Sequence, residues 1–134
     1  MITVTRIGTP KGKREGARLG TVRLLPRGVK KEEYAKANYF DAWLPEVSPT
    51  KELVAYAQAK PWTDARWAAF GRRYRAEMRR PEAQHLIAAL AALSKQANFS
   101  LCCYCENPHR CHRSLLAELL REAGGTVARA STFG

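Results

Sequence analysis

At 134 residues, 46% of them hydrophobic and 26% charged, the chain has the size of one domain and enough apolar material for a core, which excludes wholesale disorder. Lys and Arg number 23 against 12 Asp and Glu, a formal charge of +11 at pH 7 that attracts phosphorylated small molecules or nucleic acid. No apolar run approaches the roughly 20 residues that span a bilayer, and Met1–Gly8 has no secretory-signal pattern, so no membrane partner and a cytoplasmic location are expected.

In such a compartment the four cysteines read as thiols, ligands or redox groups rather than structural disulfides. The positive charge is unevenly spread. Nine basic residues fall between Arg6 and Lys31 against the single acid Glu15, and Arg66, Arg72, Arg73, Arg75, Arg79 and Arg80 form a second cluster. A merely solvated surface explains these clusters as well as a phosphate-binding one does. The preference for Arg in the second cluster favours bidentate anions.

Ile2–Ile7 alternates apolar and polar residues and predicts a short strand. Pro10–Gly20 reads as a loop, its glycines set among basic residues, mobile unless a ligand orders it. Its spacing does not match a phosphate-cradling loop. Thr21–Leu25 reads as a second strand, ended by Pro26-Arg27-Gly28.

Between Lys31 and Gln58 the pattern is helical but broken by Pro45 and Pro49. Ser48-Pro49-Thr50-Lys51-Glu52 predicts the start of a helix running through Leu53, Val54 and Ala57. Trp67, Phe70, Tyr74 and Met78 recur at three- and four-residue intervals, a core stripe rather than a base-stacking platform. Pro81 ends that helix or opens the next, lined by Leu86, Ile87, Leu90 and Leu93. His85 reads as a surface or packing histidine.

Phe99–Cys105 predicts a compact apolar strand and 105–113 a polar loop. Ser114 precedes an amphipathic helix through Leu115, Leu116, Leu119 and Leu120, closed by Gly124-Gly125. Thr126–Ala130 reads as a last strand. Strand, loop, helix and strand make a βαβ unit with parallel strands. The fold class expected is α/β, a single three-layer domain over 1–134 with a small, mainly parallel sheet flanked by helices.

Residues 101–114 hold all four cysteines and two of the three histidines. Ligands of open α/β sheets bind beyond the carboxyl ends of the strands, where a helix N-terminus offers free N–H groups and partial positive charge. Arg110 and Arg113 add formal charge. Cys111 or Cys103 therefore reads as an activated thiol with His112 as acid or base. The alternative is a zinc or other soft-metal site from Cys105, His109, Cys111 and His112. The plainest reading is a core cysteine, Cys102, beside incidental loop cysteines. Cys102 is the one expected to be inert.

Three blocks, Arg23–Val29 with Lys30 or Lys31, Trp43–Pro49 and Arg66–Glu77, together with Cys103 followed by Cys111-His112-Arg113-Ser114-Leu115-Leu116, resemble the domain-of-unknown-function family 488. The chain departs from that pattern at Cys105, where an acidic residue is usual, and at Val22, where Asp is common. The resemblance implies an α/β fold and a site gathering Arg23, Arg27, Cys103, Cys111, His112 and Arg113. It does not supply an activity.

The reading is therefore an anion pocket, for phosphate or nucleotide, at the Cys-His-Arg loop of an enzyme acting on a nucleotide or nucleic acid. Cys103, Cys111, His112 and Arg113 are its candidate catalytic residues, and Arg23, Arg27, Arg110 and Ser114 its anion-binding ones. No cofactor and no resident metal belong to this leading reading. The alternatives are a non-catalytic nucleic-acid-binding module and the Cys/His metal site.

Overall fold

Alternation of burial carries the first residues into strand β1 (Ile2–Arg6), with Ile2 and Val4 facing inward. The structure, a computed structural model, describes residues 1–25, 28, 30–33, 39–103 and 110–128. The apolar run Phe99–Cys103 forms β4, buried along its whole length as the centre of a parallel sheet requires. It pairs with β1 on one side, Val4 opposite Leu101, and with β2 (Ala17–Gly20) on the other, Leu19 opposite Leu101. Strand β3 (Ala42–Trp43) adds to β2, and the order is β1-β4-β2-β3, parallel throughout.

Two strand predictions shift. The second strand is Ala17–Gly20, not Thr21–Leu25. Thr21 N still donates to Cys102 O (2.9 Å), but Arg23 then turns away to donate to carbonyls at Pro45, Ser48 and Pro49. Of Thr126–Ala130, the described residues form one parallel bridge, Val127 beside Ile2. β3 lies inside the stretch read as broken helix, too short for a period-two signal.

Helix α1 (Lys51–Ala59) is capped by Thr50, which accepts from Leu53 N, and α2 (Asp64–Glu77) by Thr63, which accepts from Arg66 N. Thr50 N and Oγ1 also donate to the Glu77 carboxylate (3.0 and 2.5 Å), tying the start of α1 to the end of α2. Pro81 opens α3 (Pro81–Leu93), and α4 runs His112–Glu122. All four helices pool Leu53, Phe70, Tyr74, Ile87, Leu116 and Leu120 with Ile2, Val4, Phe99 and Leu101 in one core. The Phe70–Tyr74–Met78 stripe is core, and His85 is exposed.

The other face carries Thr5, Arg18, Ser100 and Cys102 and is covered, among the described residues, by loop rather than helix. Glu15 pairs there with Arg18 (2.6 Å), both nearly buried, and accepts from Ser100 Oγ (2.7 Å) and Gly12 N (2.8 Å). Burial pushes the Glu15 carboxyl up, but these partners outweigh it and hold it below its ordinary value. Gly16 lets the loop cross β4's entry: its φ is +75°, and a Cβ would lie 1.9 Å from Asn98 O. This ion pair ties the Gly-rich loop to the sheet. The fold class is α/β, with loop in the place of a second helical layer among the described residues. None of the described helices is long and apolar enough to cross a membrane.

Tyr74 ties the stripe to the chain beyond β3: its buried O–H donates to Val47 O at 2.7 Å. Tyr74→Phe strands that carbonyl and is expected to cost about 1–3 kcal/mol in urea unfolding. Unchanged stability means that water replaces the phenol.

Candidate functional site

Because β2 and β4 run parallel side by side, their carboxyl ends open on the same edge of the sheet, and α4 starts there. A cavity of ≈ 440 Å³ occupies that edge. Cys103 ends β4, Cys111 caps α4 and His112 is its first residue; all three line the cavity and all are buried. Trp62, Phe70, Val54 and Ala57 make apolar walls, with Arg23 and Arg110 also lining it.

The floor is tightly drawn. Cys103 Sγ lies 3.0 Å from Cys111 Sγ, Cys111 Sγ lies 3.7 Å from His112 Nδ1, and one ligand atom of each lies within 4.8 Å of the others. Cys102 and Cys103 are outside any disulfide, whereas Cys111 is disulfide-bonded. The expectation of thiols thus fails at Cys111.

The tautomer of His112 follows from its partners. Nε2 is 2.7 Å from Thr21 O, and a carbonyl only accepts, so Nε2 carries the proton. Burial, aided by the charge of Arg113, pushes the imidazole down to about 4, against the opposing pull of the Thr21 hydrogen bond. At neutral pH it is uncharged, with the Nδ1 lone pair turned to the sulfurs. Tyr74 packs beside it, ring centroids 5.9 Å apart.

Cys102, one residue from Cys103, points to the opposite face and donates to Leu19 O and Tyr39 O. Burial pushes its thiol up to about 12, which disfavours the thiolate at neutral pH.

Arg113 is the most unusual residue present. It is 1% exposed, and Nε, Nη1 and Nη2 have no hydrogen-bond partner among the described residues. It does not line the cavity; its charge acts from behind, on His112 and Cys102.

The remaining candidates divide. Arg23 lines the cavity, but its guanidinium braces the carbonyls of Pro45, Ser48 and Pro49. Arg110 stands in the wall with Nη2 2.6 Å from Asp64, whose side chain is almost wholly in solvent. Ser114 Oγ donates to Cys111 O (2.7 Å), a helix-start contact away from the cavity. Arg27, Cys105 and His109 lie outside the described residues.

Sequence reasoning missed the Thr21 carbonyl, which carries no side-chain signal, and the walls Trp62 and Phe70. Trp62 sits between two helices, after Pro61, where an aromatic outside any periodic stripe is the available hint.

The family described as the active DUF488-N3 subclade, DUF488-N3a, matches residues 2–124. No curated protein and no solved structure matches the chain.

Proposed function

This chain belongs to the DUF488 family, and we propose that it is a thiol-dependent enzyme acting on a nucleotide or on a base of a nucleic acid. The observation that carries the reading is the convergence of Cys103, Cys111 and His112 on the floor of one apolar-walled cavity at the carboxyl ends of β2 and β4. A planar base fits between walls that include Trp62 and Phe70, and the sugar and phosphate extend toward Arg110, whose Asp64 partner is solvated and exchangeable.

Cys103 is the nucleophile, since the other cysteine of that floor, Cys111, is held in a disulfide. The bare Nδ1 of His112 takes the thiol proton as sulfur adds to an electrophilic carbon, and returns it to the leaving group. At rest His112 is neutral and so able to accept that proton. Nε2–H, held by Thr21 O, keeps the ring in this orientation.

Calorimetric titration with nucleoside monophosphates and a short single-stranded oligonucleotide tests this. Trp62→Leu is expected to weaken binding roughly 5- to 150-fold, the range for one stacked base. Cys103→Ser is expected to bind normally and to lose turnover. Binding that falls steeply with salt and ignores both substitutions supports instead the non-catalytic nucleic-acid module, whose contacts are to phosphates. Absence of binding to either probe overturns both.

A further inference from the structure

We propose that, once Cys111 is reduced, Cys103, Cys111 and His112 form a binding site for a soft divalent cation of the zinc class, its fourth position open to the cavity. The inference rests on the placement of these residues as the floor of the proposed active site, and it adds a ligand that regulates it.

Four features carry it. The donor set, two sulfurs and an imidazole nitrogen, suits zinc, and three protein ligands with one open position is the pattern of sites that exchange a ligand. The spacing is close to what the ion needs. Zinc–sulfur bonds of roughly 2.3 Å put tetrahedral sulfurs about 3.8 Å apart, so the 3.0 Å sulfur pair has to open by about 0.8 Å.

The histidine is already oriented as a ligand: its Nε2–H is given to a backbone carbonyl, the usual outer partner of a metal-bound imidazole, and Nδ1 faces the sulfurs. Charge is the fourth feature. Two thiolates neutralise a divalent ion and leave the buried Arg113 guanidinium uncompensated, so the open position favours an anion over water.

Loading needs a defined redox step. A phosphine or dithiol reductant supplies two electrons, the Cys111 S–S bond breaks, and two protons complete the two thiols. The cation then displaces the protons of Cys103 and Cys111. Bound sulfur has its lone pair on the metal, so the metal-loaded form does not attack substrate: cation occupancy and thiol reactivity exclude one another.

Cobalt titration of the full-length, phosphine-reduced protein without oxygen tests this directly. The expected result is one equivalent bound, with near-ultraviolet thiolate-to-cobalt bands and the strong visible bands of tetrahedral cobalt, both removed by zinc. Cys103→Ser, Cys111→Ser and His112→Gln are each expected to weaken binding by roughly 100-fold or more, beyond the 10- to 100-fold effect of an outer partner. Cys102→Ser leaves it unchanged.

Should a variant not fold, iodoacetamide labelling of wild-type Cys103, mapped by mass spectrometry, is expected to slow at least tenfold with one equivalent of zinc. Absent thiolate bands, bands that survive Cys103→Ser, or labelling indifferent to zinc overturn the proposal. Nucleotide binding is a separate measurement, so loss of the proposed substrate class with the cobalt bands intact removes only the earlier reading.

Discussion

Arg113→Met is expected to raise the stability of the ligand-free protein by about 1–4 kcal/mol, the range found when buried charges give way to packed apolar side chains. The same substitution is expected to impair the site. Arg113 is fully enclosed, with no partner on any guanidinium nitrogen among the described residues. Taking an ion out of water without such partners costs several kcal/mol. Its position adds to the cost: as the second residue of α4 it sits at the end of the helix that already carries partial positive charge. Methionine fills a similar unbranched volume without charge.

Such a cation persists where function needs it, a trade of stability for activity. Nucleotide affinity or turnover is therefore expected to fall roughly tenfold, the size of one charge acting on the site from behind without touching the ligand. Urea unfolding and the calorimetric titration measure the two effects on the same variant. A destabilised Arg113→Met means that the guanidinium is satisfied in solution, and the cost assigned to it is then wrong.

Acidification from about pH 6.5 to about pH 4 is expected to remove about 3 kcal/mol of stability through His112 alone. The unfolded chain protonates this imidazole near 6.5, whereas the folded chain holds it neutral down to about 4 because it is buried. Between those values the unfolded state binds more protons, so stability falls as pH falls; above 6.5 neither state is protonated and the contribution is flat. Below 4 both are protonated and no further loss arises from this residue. Urea midpoints of chelator-treated protein across this range test it, with His112→Gln as the reference expected to lose the part of the slope due to this residue. Equal slopes in the two proteins show that His112 takes up its proton without unfolding.

Much of the architecture was legible because burial repeats with the geometry of each element. The alternation in Ile2–Arg6, the unbroken apolar run Phe99–Cys103, the Phe70–Tyr74–Met78 spacing and Pro81 at a helix start each report a local backbone preference that the packed structure keeps. β2 was displaced because its residues, Ala17 to Gly20, include Arg18, which is buried only by virtue of Glu15. An ion pair that makes a charged residue a core residue leaves no hydrophobic pattern to read. β3, two residues long with both side chains exposed, has none either.

The site divides along the same line. Concentration of cysteine and histidine just before an amphipathic helix marks Cys103, Cys111 and His112 from the amino-acid order alone, and so does the parallel α/β class, since both rest on neighbours in sequence. Folding in three dimensions assigned the roles. It brought Thr21 beneath His112 and fixed the proton on Nε2, set Trp62 and Phe70 as walls, turned Arg23 into a brace, and enclosed Arg113 with no partner among the described residues. Those outcomes depend on distances between atoms from different elements and on exclusion of water. Neither quantity exists until the strands and helices have packed.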